Sequence, residues 1–587
     1  MIPRLFLHDE RSRSWLAFQD PLEVFAVHNL GEVQPALATI EAAVSKRGLW
    51  AAGFLSYEAA PAFEPAMQVQ PAGELPLLWF GLFEPPHSRP LPLPETETAP
   101  DQSWRPDVSQ SKYSQAVLAI KGYIAAGDTY QVNYTFRLRA SFQGEPWQYF
   151  LQLQAAQRSL YSAYLDLGRW AICSASPELF FRLDGLEIVS RPMKGTARRG
   201  RTLAEDRANM AWLRTSEKNR SENVMIVDML RNDIGRVAQT GSVAVPELFA
   251  VERYPTVLQM TSTVTGRTDA SLQAILGALF PCASITGAPK IRTMQITGEL
   301  ERGPRGLYTG AIGYLAPGRQ AQFNVAIRTA VIDRRSGQAE YGTGSGIVWD
   351  SQAQDEYAES ELKARVLTVR RPPFELLESL LWTPQTGFFL LERHLKRLAD
   401  SAEYFQYPFV RDEVTAPLVD LEPRLAGAAC KIRLRLNADG RTQVEMEELP
   451  EPPALDFPPD AKKPALRVAL AADPVDSGDV FLFHKTTCRE VYDQALKARS
   501  GFEEVLLWNE RGDLTECTRS NLVVRVGEAW HTPPLDCGLL AGVLRAELLE
   551  TGKLIENVLT QDGLQHANGL WAINSVRGWQ RLIVNEQ

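Results

Sequence analysis

The chain of 587 residues carries 62 Lys and Arg against 71 Asp and Glu, a formal net charge of −9, with 45% hydrophobic and 23% charged residues. One hydrophobic core stops growing at about 250 to 300 residues, so this length predicts two or more domains, and the composition excludes a disordered chain. The acidic balance excludes the basic face that grips a phosphate backbone, so no nucleic-acid partner is expected.

The opening, MIPRLFLHDERSR, leaves no room for a secretory apolar core, and no apolar run approaches the ~20 residues that cross a bilayer. A soluble, cytoplasmic protein without membrane contact is expected. The six cysteines, Cys173, Cys282, Cys430, Cys488, Cys517 and Cys537, show neither a CxxC pair nor zinc spacing, which predicts reduced thiols. Residues 84–106 (EPPHSRPLPLPETETAPDQSWRP) lack apolar periodicity and predict a surface connector behind an N-terminal lobe. Helical spacing follows in YSQAVLAIKGYIAAG and SENVMIVDMLRNDIGRVA, and strand-like text in LEIVSRPM, GAIGYLA and QAQFNVAIRTAVID. The helical EYAESELKARVLTV stops at the prolines of RRPP, which predicts a domain boundary between 1–371 and 372–587. A third proline cluster, LPEPPALDFPPDAKKP at 449–464, should split the C-terminal part into two lobes, and a cleft between lobes suits a cofactor. The irregular alternation of helix and strand predicts an α+β fold without a repeat of fixed period.

Three stretches in the first domain carry chemistry. In RPMKGTARRG, Lys194 follows a strand; alone, such a lysine is ordinarily a solvated charge. The helix SENVMIVDMLRNDIGRV carries Glu222, Asp228, Arg231 and Asp233, and paired or solvated charges explain much of it. In DSQAQDEYAESELKARV, Glu356 and Glu359 stand three apart on one helical face, where like charges repel unless a cation joins them. Magnesium suits such a pair, since it takes one or two carboxylates plus substrate oxygens. The preceding YGTGSGIV lets backbone at Gly342, Gly344 and Gly346 approach a ligand.

Taken in order, AAGDTYQVNYT, SASPELFF, SRPMKGTARRG, SENVMIVDMLRNDIGRV, FPCASITGAPKIRTMQI, GAIGYL, IRTAVI, GTGSGIVWDS and EYAES resemble the chorismate-utilising family over residues 111–369. That family holds anthranilate synthase large subunits, aminodeoxychorismate synthase component I, and the isochorismate and salicylate synthases. The resemblance implies a two-lobed α+β domain in which Glu222 and Glu359 hold Mg2+, with Glu356 beside the ion. The metal would bind the ring carboxylate of chorismate and assist departure of the hydroxyl. It implies that Arg328, Tyr314, Lys363 and the backbone of Gly344, Ser345 and Gly346 hold the carboxylates, that Ser284, Thr286 and Gly287 form the wall, and that Glu178 lies beside it.

PMKGT resembles the aminodeoxychorismate branch, whereas the anthranilate branch typically has alanine at the lysine position. In that branch the lysine, here Lys194, adds to the ring, expels the hydroxyl and is displaced by ammonia, so the site must favour the neutral amine. No glutaminase-like segment is evident, which implies a separate glutamine amidotransferase subunit as the ammonia source.

Behind the boundary, LERHLKRLADSAEYF reads as an amphipathic helix, and EEVLLWNERGDLTECTRSNLVVRV as strand, turn around 509–512, and strand. With HKTTCR these resemble the class IV, branched-chain-type aminotransferase family over residues 374–587, a family that also contains 4-amino-4-deoxychorismate lyase. The resemblance implies pyridoxal 5′-phosphate, with Lys485 as its covalent and catalytic lysine and Glu516 as the partner of the pyridine nitrogen. Arg397, the amides of Gly542, Val543 and Leu544, and Ser575 would form the phosphate cup, Leu544 standing where a threonine is common. The match starts at FELLESLLW, which predicts that the family's opening strands are short or missing and that the domain is truncated. Homodimers are common in this class, so dimerisation through this part is expected. The fusion implies p-aminobenzoate as product. The alternatives are an anthranilate synthase component fused to an amino-acid transaminase, and a synthase carrying a non-catalytic dimerisation module.

Overall fold

The computed structural model describes residues 4–92, 102–369, 372–425 and 427–585. The chain divides into two compact units, Met1–Arg199 with Asn209–Arg371, and Gly200–Ala208 with Pro372–Gln587. Among the described residues no helix is long and apolar enough to cross a membrane.

The first unit is built on two ten-stranded sheets. Large apolar residues of both sheets interdigitate in one cluster, with Leu5, Phe18 and Ile172 from one and Phe54, Trp79 and Ile312 from the other, so the sheets face each other across a shared core. Helices cover the outer faces. The helices Leu30–Arg47, Glu217–Gly235 and Leu272–Leu279 bury apolar stripes with the strands of one sheet, and Pro146–Gln157 with those of the other. Ser271 caps the apolar LQAILGAL, its hydroxyl accepting from the Ala274 amide at 3.2 Å.

The N-terminal residues do not form a separate lobe, as residues 84–106 suggested. Leu5–Asp9 pairs with Ser14–Phe18 and with Ala163–Asp166 in one sheet, while Trp50–Leu55 pairs with Ala311–Ala316 in the other. Strands that end unpaired expose a ladder of amides and carbonyls, and here the N-terminal segments close those ladders. Parts of the expected connector are themselves strands: His87–Arg89 pairs with Ser14–Phe18, and Arg105–Pro106 with Gln131–Ser141. Residues 93–101 of that stretch lie outside the described residues.

The second unit opens on a four-stranded antiparallel sheet in the order Gly387–Phe388, Leu376–Thr383, Cys430–Leu436, Thr442–Glu448. The expected truncation is therefore corrected. FELLESLLW supplies an eight-residue strand whose inward side chains Leu376, Glu378 and Leu380 alternate with more open ones, the period-two pattern of a half-buried strand. No named helix or strand falls between Glu448 and Leu466, where the proline cluster lies. Beyond it, eight strands form a mixed sheet. Six of them close into a ring, because Leu514–Cys517 pairs both with Glu504–Trp508 and, through Glu516 and Asn521, with Asn521–Val526.

Candidate active sites

In the first unit one cavity is lined by Glu178, Lys194, Glu222, Ser284, Arg328, Gly344, Gly346, Glu356, Glu359 and Lys363. Residues separated by up to 185 positions in the chain are thus brought together. Lys194 sits on Met193–Arg198, a strand whose register slips between Met193 and Thr196, where Gly195 adopts φ 101°. Its Nζ lies 3.6 Å from Glu222 Oε2, and both side chains are largely buried. Room for it comes from glycine. A Cβ on Gly346 would stand 2.3 Å from that Nζ, and one on Gly342 would stand 2.1 Å from the Tyr308 ring.

The helix Ala353–Ala364 presents the other two acids. Lys363 Nζ lies 2.7 Å from Glu359 and donates to the Gly344 carbonyl at 3.0 Å. Ser351 donates to Glu356 at 2.7 Å, and Lys218 Nζ lies 4.0 Å away from it. Burial opposes ionisation of Glu359, but Lys363 holds its carboxyl below the usual range. Each of the three glutamates thus faces a lysine. Among the described residues, no three acid, His or Cys side chains stand close enough to form a ready-made metal cage. Hard oxygen donors from two helices around an anion cavity fit Mg2+, which binds through one or two carboxylates and completes its shell with substrate and water.

Burial pushes the Glu178 carboxyl up to about 7, against Ser284, which donates to it at 2.6 Å, and the Met193 amide. Arg328 is buried at φ 49°, a strained conformation for a side-chain-bearing residue, and its Nη1 finds no partner among the described residues. An unpaired buried guanidinium nitrogen calls for an anion.

Three expected residues are placed elsewhere, and a fourth, Ser345, is expected to act through its backbone alone. Tyr314 lies in the core between the sheets, stacked on Trp50 at 5.5 Å and donating to Asp9 at 2.7 Å; the tyrosines at the cavity are Tyr308 and Tyr341. Ser345 points away because strand residues alternate faces, and its hydroxyl meets that of Tyr113 at 2.9 Å. The Thr286 hydroxyl turns back to the carbonyls of Cys282 and Ala283. Gly287, at φ 140°, instead lets its backbone pack against the Gln131 carbonyl, 2.2 Å from where a Cβ would be. Beyond Tyr308, the sequence reading missed Lys218 and Gln259, whose amide donates to the Gly195 carbonyl at 2.9 Å. Asp228 and Asp233 are spent elsewhere, on Arg231 and Lys290 at 2.8 Å each.

In the second unit Lys485 follows the 3-10 turn Val480–Leu482, its carbonyl accepting from the Leu377 amide at 2.9 Å. Burial first, then the Arg397 guanidinium, pushes its amine down to about 8. Glu516 is buried and accepts from Tyr492 at 2.8 Å, Asn521 at 3.1 Å and the Leu540 amide at 3.1 Å. Burial outweighs these bonds and lifts its carboxyl to about 7. Asn521 also donates to the Leu540 carbonyl at 2.8 Å, and Arg397 to the Ala541 carbonyl at 2.9 Å, so residues 540–541 join the two ends of the site. Gly542 caps the helix Val543–Glu550, whose first amides have no partner within the helix. The Leu544 side chain packs with Leu548 and Trp571, so it can offer only its amide. Ser575 is buried just beyond the strand Gly569–Asn574, which pairs with the strand of Asn521. A low-lying amine, a buried carboxyl and an arginine beside a helix N-terminus fit the aldehyde, ring nitrogen and phosphate of pyridoxal phosphate.

The model of the chorismate binding enzyme family matches residues 2–369, and that of amino-transferase class IV matches 375–582. Aminodeoxychorismate synthase component 1 of Escherichia coli (strain K12) is 43% identical over 269 residues, 46% of this chain and 59% of that protein. Anthranilate synthase component 1 of Aquifex aeolicus is 40% identical over 274 residues, 46% of this chain and 55% of that protein. The chain thus spans under two thirds of the length of these relatives. The crystal structure of anthranilate synthase component I from Streptococcus pneumoniae TIGR4 superposes with a TM-score of 0.54 at 26% identity, covering 63% of this chain and 93% of that one.

Proposed function

Because the chain belongs to the chorismate binding enzyme family and carries a class IV amino-transferase segment behind that domain, we propose that it converts chorismate and ammonia into p-aminobenzoate and pyruvate in two steps. Lys194, on the cavity and given room by Gly346, is the observation that carries the reading.

In the first step Arg328 and Lys363 bind the carboxylates of chorismate, and Glu178, on the same cavity and holding its proton up to about pH 7, would give one to the departing hydroxyl. Lys194 Nζ adds to the ring as the hydroxyl leaves as water; ammonia then adds at another carbon and Lys194 departs, leaving 4-amino-4-deoxychorismate. Glu222 and Glu359, with Glu356 behind them, would hold Mg2+, which supplies charge neutralisation at the ring carboxylate and the leaving group. A separate glutamine amidotransferase supplies the ammonia.

In the second step Lys485 and Glu516 would hold pyridoxal phosphate, which supplies an electron sink. Lys485 Nζ, pushed down to about 8, is an effective base near neutral pH; it removes the ring proton and returns it to the departing enolpyruvate, releasing pyruvate and the aromatic amine.

The test is incubation of the purified chain with chorismate, Mg2+, pyridoxal phosphate and concentrated ammonium, followed by chromatography and mass analysis. p-Aminobenzoate with pyruvate is expected. It should disappear in Lys194→Ala and in Lys485→Ala, the latter accumulating aminodeoxychorismate. Anthranilate as product would overturn the assignment of the first step, and aminodeoxychorismate accumulating in the unmutated chain would overturn that of the second.

A further inference from the structure

We propose that Glu378, with His394 behind it, is a positioning residue that holds Arg397 in place as a phosphate anchor; the inference rests on the cofactor reading above. Glu378 lies on the strand Leu376–Thr383, and it and His394 are each 1% exposed. Its two carboxylate oxygens accept from Arg397 Nε at 2.8 Å and Nη2 at 2.6 Å, and His394 Nδ1 lies 2.7 Å from the second oxygen. Burial works against ionisation of this carboxyl, yet Arg397 and His394 hold it down at about 2.

A buried carboxylate beside an anion site is costly in itself, since it repels the ligand that the site is meant to bind. Its geometry accounts for its presence. A guanidinium has five N–H groups in a rigid fork. Glu378 takes two and the Ala541 carbonyl a third, which leaves one N–H on each terminal nitrogen of Arg397. Both ties fix direction. Glu378 clamps one edge of the fork from the four-stranded sheet, while Ala541 clamps the other from the residue before Gly542, where the helix Val543–Glu550 begins. The unspent N–H groups are thereby set in fixed relation to the helix amides, without the entropy loss that a free arginine would suffer on binding. His394 completes the clamp by fixing the carboxylate itself.

Equilibrium dialysis of the cofactor-free full chain against pyridoxal phosphate, and separately against pyridoxal, which lacks the phosphate, tests this role. Glu378→Gln should weaken pyridoxal phosphate roughly ten- to a hundredfold and leave pyridoxal within about twofold. A general packing defect would weaken both alike. Equal loss for both ligands, or no loss for either, overturns the proposal. Should Glu378→Gln fail to fold by circular dichroism, Glu378→Asp, which withdraws the carboxylate by one methylene, must show the same selective loss. An unmutated chain that binds the two ligands equally well overturns the proposal alone, whereas one that binds neither overturns the cofactor reading with it.

Discussion

Lys194 and Lys485 stand at the centres of the two sites and are treated in opposite ways. Lys194 belongs to a cavity of opposed charges, 3.6 Å from Glu222 and among the further pairs of Lys363 with Glu359 and Lys218 with Glu356. Lys485 is governed by burial first and by a neighbouring cation second, both driving it toward the neutral amine. A site made of charge pairs can exchange partners when a dianionic substrate and a cation enter, provided that there is space for the exchange. The second site has its reactivity set in advance by desolvation and a neighbouring charge, and its vulnerability is to pH. The first should therefore respond most to added bulk, the second to proton concentration.

The sharpest break in this contrast is steric. Gly346→Ala puts a methyl 2.3 Å from Lys194 Nζ and should cut formation of aminodeoxychorismate by about a hundredfold or more, as mispositioning of a reacting group does. Release of p-aminobenzoate from supplied aminodeoxychorismate should be unchanged, and loss of both rates would mean that the substitution unfolds more than the cavity.

The next effect concerns Glu516. Folded and without cofactor, this carboxyl keeps its proton up to about pH 7, whereas its ordinary value is 4.5. The folded chain then binds more protons than the unfolded chain between these values, so stability falls as pH rises through that window and stays lower above it. Glu516→Gln should raise the thermal stability of the cofactor-free chain at about pH 8, by on the order of 2 kcal/mol, and by little near pH 4.5. Equal gains at both pH values would show that relief of charge is not the cause. Lys485 sharpens the contrast further. Because only the neutral amine attacks an aldehyde, uptake of pyridoxal phosphate by the cofactor-free chain should quicken as pH rises and level off above about 8. A flat stopped-flow profile across that range would remove the distinction between the two lysines.

The smallest effect tests a position that the sequence misassigned. Tyr314→Phe loses one buried hydrogen bond to Asp9 and should cost about 1 to 2 kcal/mol of stability by chemical denaturation, with the KM for chorismate unchanged.

Motif order showed much of the site, because Lys194, Glu222, Arg328, Glu356, Glu359 and Lys363 each stand in a short stretch whose chemistry is explicit, and the structure gathers them around one cavity. What was not legible depends on facing and pairing. Tyr314 stands in the motif GAIGYL, but the pairing of Ala311–Ala316 with its neighbours turns it into the core, and Tyr308, just ahead of that motif, lines the cavity instead. The weaving of the N-terminal strands into both sheets rests on contacts hundreds of residues apart, which no local pattern carries. FELLESLLW looked too short to open a domain because the match begins there, straight after the prolines; its interior glutamate is Glu378, buried with its partner Arg397.

The placement of Gly200–Ala208 has a bearing on how this gene can be cut. Those nine residues belong to the second unit although they are encoded far ahead of it, and Leu203 is part of the core that includes Leu376, Leu398 and Leu434. Tyr404 donates to the Gly200 carbonyl at 2.7 Å, and a ring nitrogen of His484, beside Lys485, lies 3.1 Å from the Arg201 carbonyl. A plasmid encoding only residues 372–587 would omit a piece of the folded body it is meant to express. The two proposed activities are thus modular in chemistry but not in cloning: the chain passes between its units three times, and a single restriction site cannot separate them.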